Sequence, residues 1–163
     1  MSSLWKLAAW VFVCLGSVAA AAQPSDQLGA ARVLGPEWKK IARTAGMVFS
    51  GTVVSVQASS ANDHALPTIQ WKVRVDRAIA GVETGQVLAV REWAGAWSMH
   101  RPMLAGEHVL LLLYPPSPLG FTSPVSGALG QVALDSSGTE VAQRPETISV
   151  LQLERAIRSA RKE

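Results

Sequence analysis

The chain has 163 residues, of which 48% are hydrophobic and 17% charged, with a formal net charge of +3 and a single cysteine, Cys14. One cysteine excludes a disulfide within the chain and a cysteine-held zinc. Lys and Arg are dispersed outside the C-terminal segment, which argues against the concentrated positive surface of a nucleic-acid binder.

At the N-terminus, Lys6 is the only charged residue before Asp26, and an apolar run extends from Leu7 through Leu15 to Ala22. It closes on Ala20-Ala21-Ala22, with small residues where a signal peptidase needs them. A positive start, a short apolar core and an A-x-A exit predict a cleavable secretory signal over residues 1–22. The core is shorter than the roughly 20 apolar residues of a membrane span and ends on alanines rather than a basic stop. Cys14 follows Phe12-Val13 inside the apolar core, not a small residue at its end, so it reads as part of the signal and not as a lipidation site. The remainder is expected to be exported, periplasmic or extracellular, with no membrane association after cleavage. It is of single-domain size.

Residues 23–35 carry no clear apolar stripe and read as a linker or a frayed short helix. A single domain is expected over 36–163. Gly35-Pro36-Glu37 marks a helix start, Trp38, Ile41, Ala42 and Ala45 follow at helical spacing, and Gly46 stops it. Met47–Gln57 predicts a strand, with Val48, Ser50, Thr52, Val54 and Val56 on one face and Met47, Phe49, Gly51 and Val53 on the other. Gly51 in mid-strand suggests a bulge or a sharp bend. After a polar loop over 58–67, Thr68–Asp76 alternates cleanly: Ile69, Trp71, Val73 and Val75 face a core, and Gln70, Lys72, Arg74 and Asp76 face water. A turn at 81–85 leads to a third strand, Gln86–Trp93.

The segment 94–106 holds Trp97, Met99, Met103 and Leu104, too many apolar residues for a plain surface loop. Glu107–Tyr114 reads as a buried central strand, stopped by Pro115-Pro116-Ser117-Pro118. A long loop over 119–129 follows. Gly130–Asp135 and Thr139–Gln143 flank Ser136-Ser137-Gly138, a hairpin signal. A final helix begins at Ser149 with a capping box to Gln152. Val150, Leu153, Ile157 and Ala160 form its apolar stripe, and Arg155, Arg158, Arg161 and Lys162 read as a solvated face.

The predicted class is mainly β with flanking helices. A connecting segment between the third and fourth strands matches the plan of a small OB-like β-barrel, here with a C-terminal helix added. A seven-stranded sandwich needs more strands than the pattern supplies. The elements Phe49-Ser50-Gly51-Thr52-Val53, Val73-x-Val75, Ala80-Gly81 and Gly106-Glu107-x-Val109-Leu110-Leu111-Leu112 resemble the TIMP-like and netrin-like OB domains of exported bacterial proteins, over about residues 47–114. The resemblance implies the scaffold only. The animal inhibitors of this fold use an N-terminal cysteine on a protease zinc, and no cysteine remains here after residue 14.

No catalytic constellation stands out. There is no G-x-S-x-G stretch, and nothing in the sequence brings Ser123, His108 and Asp76 together. Gly127-x-x-Gly130 lacks the Lys-Ser/Thr of a phosphate loop. His100, Glu107 and His108 form the only local metal-type cluster, without a ligand spacing, and strand neighbours Glu107 and His108 are expected on opposite faces. No cofactor is predicted. The favoured reading is a non-catalytic binding module for an exported or cell-envelope protein. Its candidate contact residues are Trp93, Trp97, Tyr114, Pro115, Pro116 and Pro118, aromatics beside a stiff proline segment. Lys72 and Arg74 could meet an acidic partner, but Asp76 and Glu92 dilute that field, and the pair reads as a solvated face. The alternatives are a small exported enzyme or metal-binding protein using His100 and His108, and a ligand carrier at the barrel mouth.

Overall fold

The computed structural model describes residues 23–59, 66–98, 101–142 and 147–163. The expected signal at 1–22 and His100 lie outside these residues. In chain order the elements are α1 (Pro24–Leu34), α2 (Trp38–Thr44), β1 (Met47–Ser59), β2 (Thr68–Ala80), β3 (Val87–Trp93), α3 (Ala94–Trp97), β4 (His108–Leu113), a 3-10 turn at Gly127–Gly130, β5 (Gln131–Ala133) and α4 (Val150–Ala160). The strands form one antiparallel sheet in the order β3-β2-β1-β4-β5. The protein is thus mainly β with helices, as its patterning predicts.

Residues 23–35 are not a linker. Gln23 caps α1: its N–H donates to the Asp26 carboxylate at 3.3 Å, and Pro24 occupies the first turn, where no N–H is needed. Ala30, Val33 and Leu34 are buried in the main core. Periodicity gave no sign of this, because the buried face of α1 includes Gly29 and Asp26. A Cβ on Gly29 would lie 3.4 Å from Ile148, so the glycine lets α1 approach that part of the chain closely.

The sheet is covered on both faces, because β1 and β4 carry apolar residues at both parities. Val48, Leu110 and Leu112 pack with Ile79, Val132 and Leu134 against α1, α2 and α4. Phe49, Val53, Val109, Leu111 and Leu113 pack with Trp71, Val73, Val90 and Met103 on the opposite, inner side. Register shifts interrupt the β1–β2 ladder at Val48/Phe49, Ser50/Gly51 and Val53/Ser55. The expected irregularity at Gly51 is therefore present, and the last shift reverses the facing of the strand beyond it. Val54 is 51% exposed, while Val56 joins the inner core. An extra residue in one strand shifts a period-2 pattern by one.

The sheet curls about its inner core. Thr122 N–H donates to Arg91 O in β3 at 3.0 Å, and its hydroxyl donates to Tyr114 O, just past β4, at 2.6 Å. Since β2 and β1 lie between β3 and β4 in the sheet, these two bonds draw its distant parts together. Backbone pairing of β3 with β5, which would close a ring, is not among the pairings of the described residues.

The expected hairpin is present in short form. Beyond β5, Leu134 pairs with Val141 across Ser136-Ser137-Gly138, with Gly138 at φ 70°. In α4, Ser149 Oγ accepts from Gln152 N–H and Gln152 Oε1 accepts from Ser149 N–H, completing the capping box. Its arginines are not simply solvated. Arg155 pairs with Asp26, Arg158 reaches Ala78 O, and Arg161 donates to Ala42 O and Ala45 O at the end of α2. They bind the helical layer to itself and to the sheet.

Candidate functional site

Two surface features gather polar or aromatic side chains. The first lies where β3 ends and the loop after β4 returns. Strand alternation turns Arg91 and Trp93 outward, while Val90 and Glu92 are buried. After Leu113, Pro115 ends the strand. Ser117 then accepts from Phe121 N–H through its hydroxyl and donates its own N–H to Phe121 O, and Gly120 turns the chain at φ 75°. This tight turn returns Phe121 to β3, where it stacks on Trp93 at a centroid distance of 4.3 Å and an angle of 9°. The Arg91 guanidinium sits 4.7 Å from the same ring. Gly46 holds the other side, since a Cβ there would lie 2.7 Å from Pro115 Cγ.

The result is an open groove of about 330 Å3, lined by Trp93, Tyr114, Pro115, Leu119, Phe121 and neighbouring residues. Trp93, Tyr114 and Leu119 remain 40%, 39% and 73% exposed. Soluble surfaces do not usually gather large apolar side chains without use. Of the contact residues expected from the sequence, Trp93, Tyr114 and Pro115 meet here. Pro116 and Pro118 are exposed but do not line the groove. Trp97 turns away from it into the inner core, 6.1 Å from Trp71. It packs there half-buried, apart from the other expected contact residues. Leu119 and Phe121 are not singled out by the sequence, and their signal was two large apolar residues beside a glycine in an otherwise turn-like loop.

The second feature is a cleft on the outer face of β1, β2 and β4. Thr52 Oγ1 lies 2.6 Å from Asp76 Oδ2 and 3.1 Å from His108 Nδ1, with Arg74 on Asp76 Oδ1 at 3.1 Å. The fold thus brings His108 and Asp76 within 3.9 Å, which the sequence did not reveal. Ser123 lines the aromatic groove instead. A hydroxyl has one proton, and the ionised carboxylate can only accept it. That proton is therefore directed at Asp76 and not at His108 Nδ1, where a general base would receive it. A hydroxyl, an imidazole and a carboxylate meet, but in the wrong order for a nucleophile–base pair.

Beside this cleft, Glu107 accepts from both terminal nitrogens of Arg101 at 2.9 and 3.0 Å and from Leu104 N–H at 3.0 Å. Burial opposes its ionisation, but Arg101 and the amide outweigh this and hold the carboxyl below its usual range. Its oxygens are committed to the loop. Among the described residues, no group of three or more His, Cys, Asp or Glu is placed to hold a metal ion.

Comparison of the chain with family models, with characterised proteins and with solved structures finds no match.

Proposed function

We propose that this chain is an exported, non-catalytic protein-binding module on an OB-like, TIMP-like barrel, and that it contacts its partner through the Trp93–Tyr114–Leu119 groove. The observation that carries this reading is the convergence of exposed aromatic and aliphatic side chains on a loop held by Ser117, Thr122 and Pro115. A pinned loop loses little conformational entropy when a partner docks. Large aromatic anchors supply most of the affinity in protein interfaces. Export rests on the pattern of residues 1–22. The barrel reading rests on the strand order, since joining edge strands β3 and β5 would close a five-stranded ring. The connection between the third and fourth strands would then carry α3, as in OB-type barrels.

The inner face argues against a carrier of small apolar ligands, because Phe49, Trp71, Met103, Leu111 and Leu113 fill it at 0–1% exposure. The Thr52–His108 order argues against hydrolysis.

Photo-crosslinking in the producing cells tests the binding reading. A benzophenone amino acid at Leu119 is expected to give a discrete protein adduct. The same group at Leu151, exposed on α4, is not, and Trp93→Ala should abolish the Leu119 adduct. Equal adducts from both sites, or none from Leu119, would remove the groove as the contact surface.

A further inference from the structure

The outer face of the sheet changes along its length. At one end Val48, Ile79 and Leu112 lie under the helices. Beyond them the cross-strand rows read Thr52–Arg74–Val87, Ser55–Lys72–Ala89 and Gln57–Gln70–Arg91. Thr52, Ser55 and Ala89 are short, Gln57 and Gln70 are uncharged, and Val87 is 55% exposed, so Lys72, Arg74 and Arg91 are the cations of this surface. Among the described residues of these strands, Asp76 is the acidic one on this face. Its two oxygens are held by Arg74 and Thr52. Glu92, expected to dilute the positive field, is 1% exposed, so it does not stand on this face; it lies at the wall of the groove. Among the described residues, neither Lys72 nor Arg91 has a carboxylate partner.

Arg91 joins this face to the groove, because its guanidinium lies against the Phe121 ring that stacks on Trp93. The two surfaces are continuous. Edge strand β3 runs between them, pairing on one side with β2. On its other side, the main-chain bond found among the described residues is Thr122 N–H to Arg91 O. Arg91 O is thereby already bonded, so a partner segment meets β3 through its outward side chains.

Resting on the groove reading, we propose that the partner presents an extended acidic polypeptide segment. It lies along β3 with its carboxylates toward Lys72 and Arg91 and an apolar or aromatic side chain in the Trp93–Tyr114 groove. Charge complementarity selects the carboxylates, and the adjoining apolar groove selects a peptide over a polysaccharide or a nucleic acid, which would need a longer run of cations. A second copy of this chain is a poor complement, since it also carries net charge of +3.

Panning a random-peptide display library on the purified chain tests this, with the Lys72→Glu/Arg91→Glu and Trp93→Ala/Tyr114→Ala variants as parallel baits. Melting curves must show that both variants fold. The expected winners combine Asp or Glu with an aromatic or aliphatic residue. Their affinity should fall with added salt and drop about tenfold or more in each variant. Winners without acidic bias, indifferent to Lys72→Glu/Arg91→Glu but lost in Trp93→Ala/Tyr114→Ala, would overturn the acidic segment and leave the groove reading standing. Winners indifferent to both variants, or no enrichment over bare matrix, would overturn both. Heparin binding more tightly than every selected peptide, with the same dependence on Lys72 and Arg91, would replace the peptide by a polyanionic glycan.

Discussion

Asp26 and Arg155 form a two-point ion pair across a sequence separation of 129 residues, with Nε on Oδ2 and Nη2 on Oδ1, both at 2.9 Å. The carboxylate is 1% exposed, whereas the arginine side chain remains 46% exposed. The pair fastens α1 to α4, so it decides whether residues 24–34 are a helix of the core or a loose segment. The asymmetry in burial fixes the order of mutational effects. Arg155→Ala leaves a buried carboxylate with only the Gln23 N–H and is expected to cost about 3 kcal/mol, at the low end for a buried pair because the arginine is half-solvated and that amide remains. Asp26→Asn leaves an arginine that water can reach, and should cost less, about 1–2 kcal/mol. Urea unfolding of the two variants checks the order.

The same pair sets an acid limit. Hydrogen bonding from Arg155 holds the Asp26 carboxyl below its ordinary value of 3.8, against the opposing effect of burial. A lowered folded-state pKa stabilises the fold fully above the unfolded value, and this stabilisation is lost as pH falls from 3.8 through the folded value. The parent chain should therefore lose stability more steeply than Asp26→Asn below that point. Parallel acid-unfolding curves would contradict the assignment.

Asp135 organises the hairpin turn. Its carboxylate accepts from Ser137 Oγ at 2.6 Å and from the amides of Thr139 and Glu140 at 3.0 Å. The Ser137 hydroxyl first, and then the Glu140 amide, lower its pKa from 3.8 to about 2. The turn should remain ordered throughout the range above 3.8 and loosen as pH falls toward about 2. Carboxyl-carbon NMR titration of Asp135 reads this directly, and faster amide exchange at Thr139 and Glu140 in Asp135→Ala checks the connection.

Gly51 is required where β1 bends. A Cβ there would overlap Arg74 O and lie 2.8 Å from Val73 Cγ1. Relief requires moving the backbone of β2, so Gly51→Ala is expected to cost about 3 kcal/mol or more. Gly85→Ala meets no atom within 4 Å but sits at φ 86°, so its penalty is conformational and smaller, about 1 kcal/mol. Thermal melting of the pair separates steric from dihedral cost.

The Trp93–Phe121 stack should be measurable without knowing any partner. A double-mutant cycle through Trp93→Ala and Phe121→Ala is expected to return a coupling of about 0.5–1.5 kcal/mol. Zero coupling would mean that the stack does not hold the loop in solution. Trp97→Ala, by contrast, removes a half-buried ring beside Trp71 and should destabilise by about 1–2 kcal/mol.

Strand β2 and helices α2 and α4 were legible from periodic burial, β1 and β4 from apolar runs bounded by turn residues, and the hairpin from Ser136-Ser137-Gly138. Ile69, Trp71, Val73 and Val75 alternate in the sequence and line one core in the structure. Helix α1 was not legible, because its buried face includes a glycine and an aspartate. Ile148 packs against the glycine and Arg155 pairs with the aspartate, and local pattern cannot register partners so distant in sequence.

The groove was half legible for the same reason. Trp93, Tyr114 and Pro115 draw attention as residue types, but nothing local says that Phe121 returns to stack on Trp93 or that Trp97 turns inward. The sequence by itself determined the β-rich class, the two-sided packing of β1 and β4 and the capped final helix, since these follow from periodicity and local hydrogen bonding. Tertiary structure alone decided that α1 belongs to the core, that Glu92 leaves the positive face, and that the loop after β4 closes an aromatic groove. Each of those depends on a contact between segments far apart in the chain, whose energy is realised only after the sheet has formed.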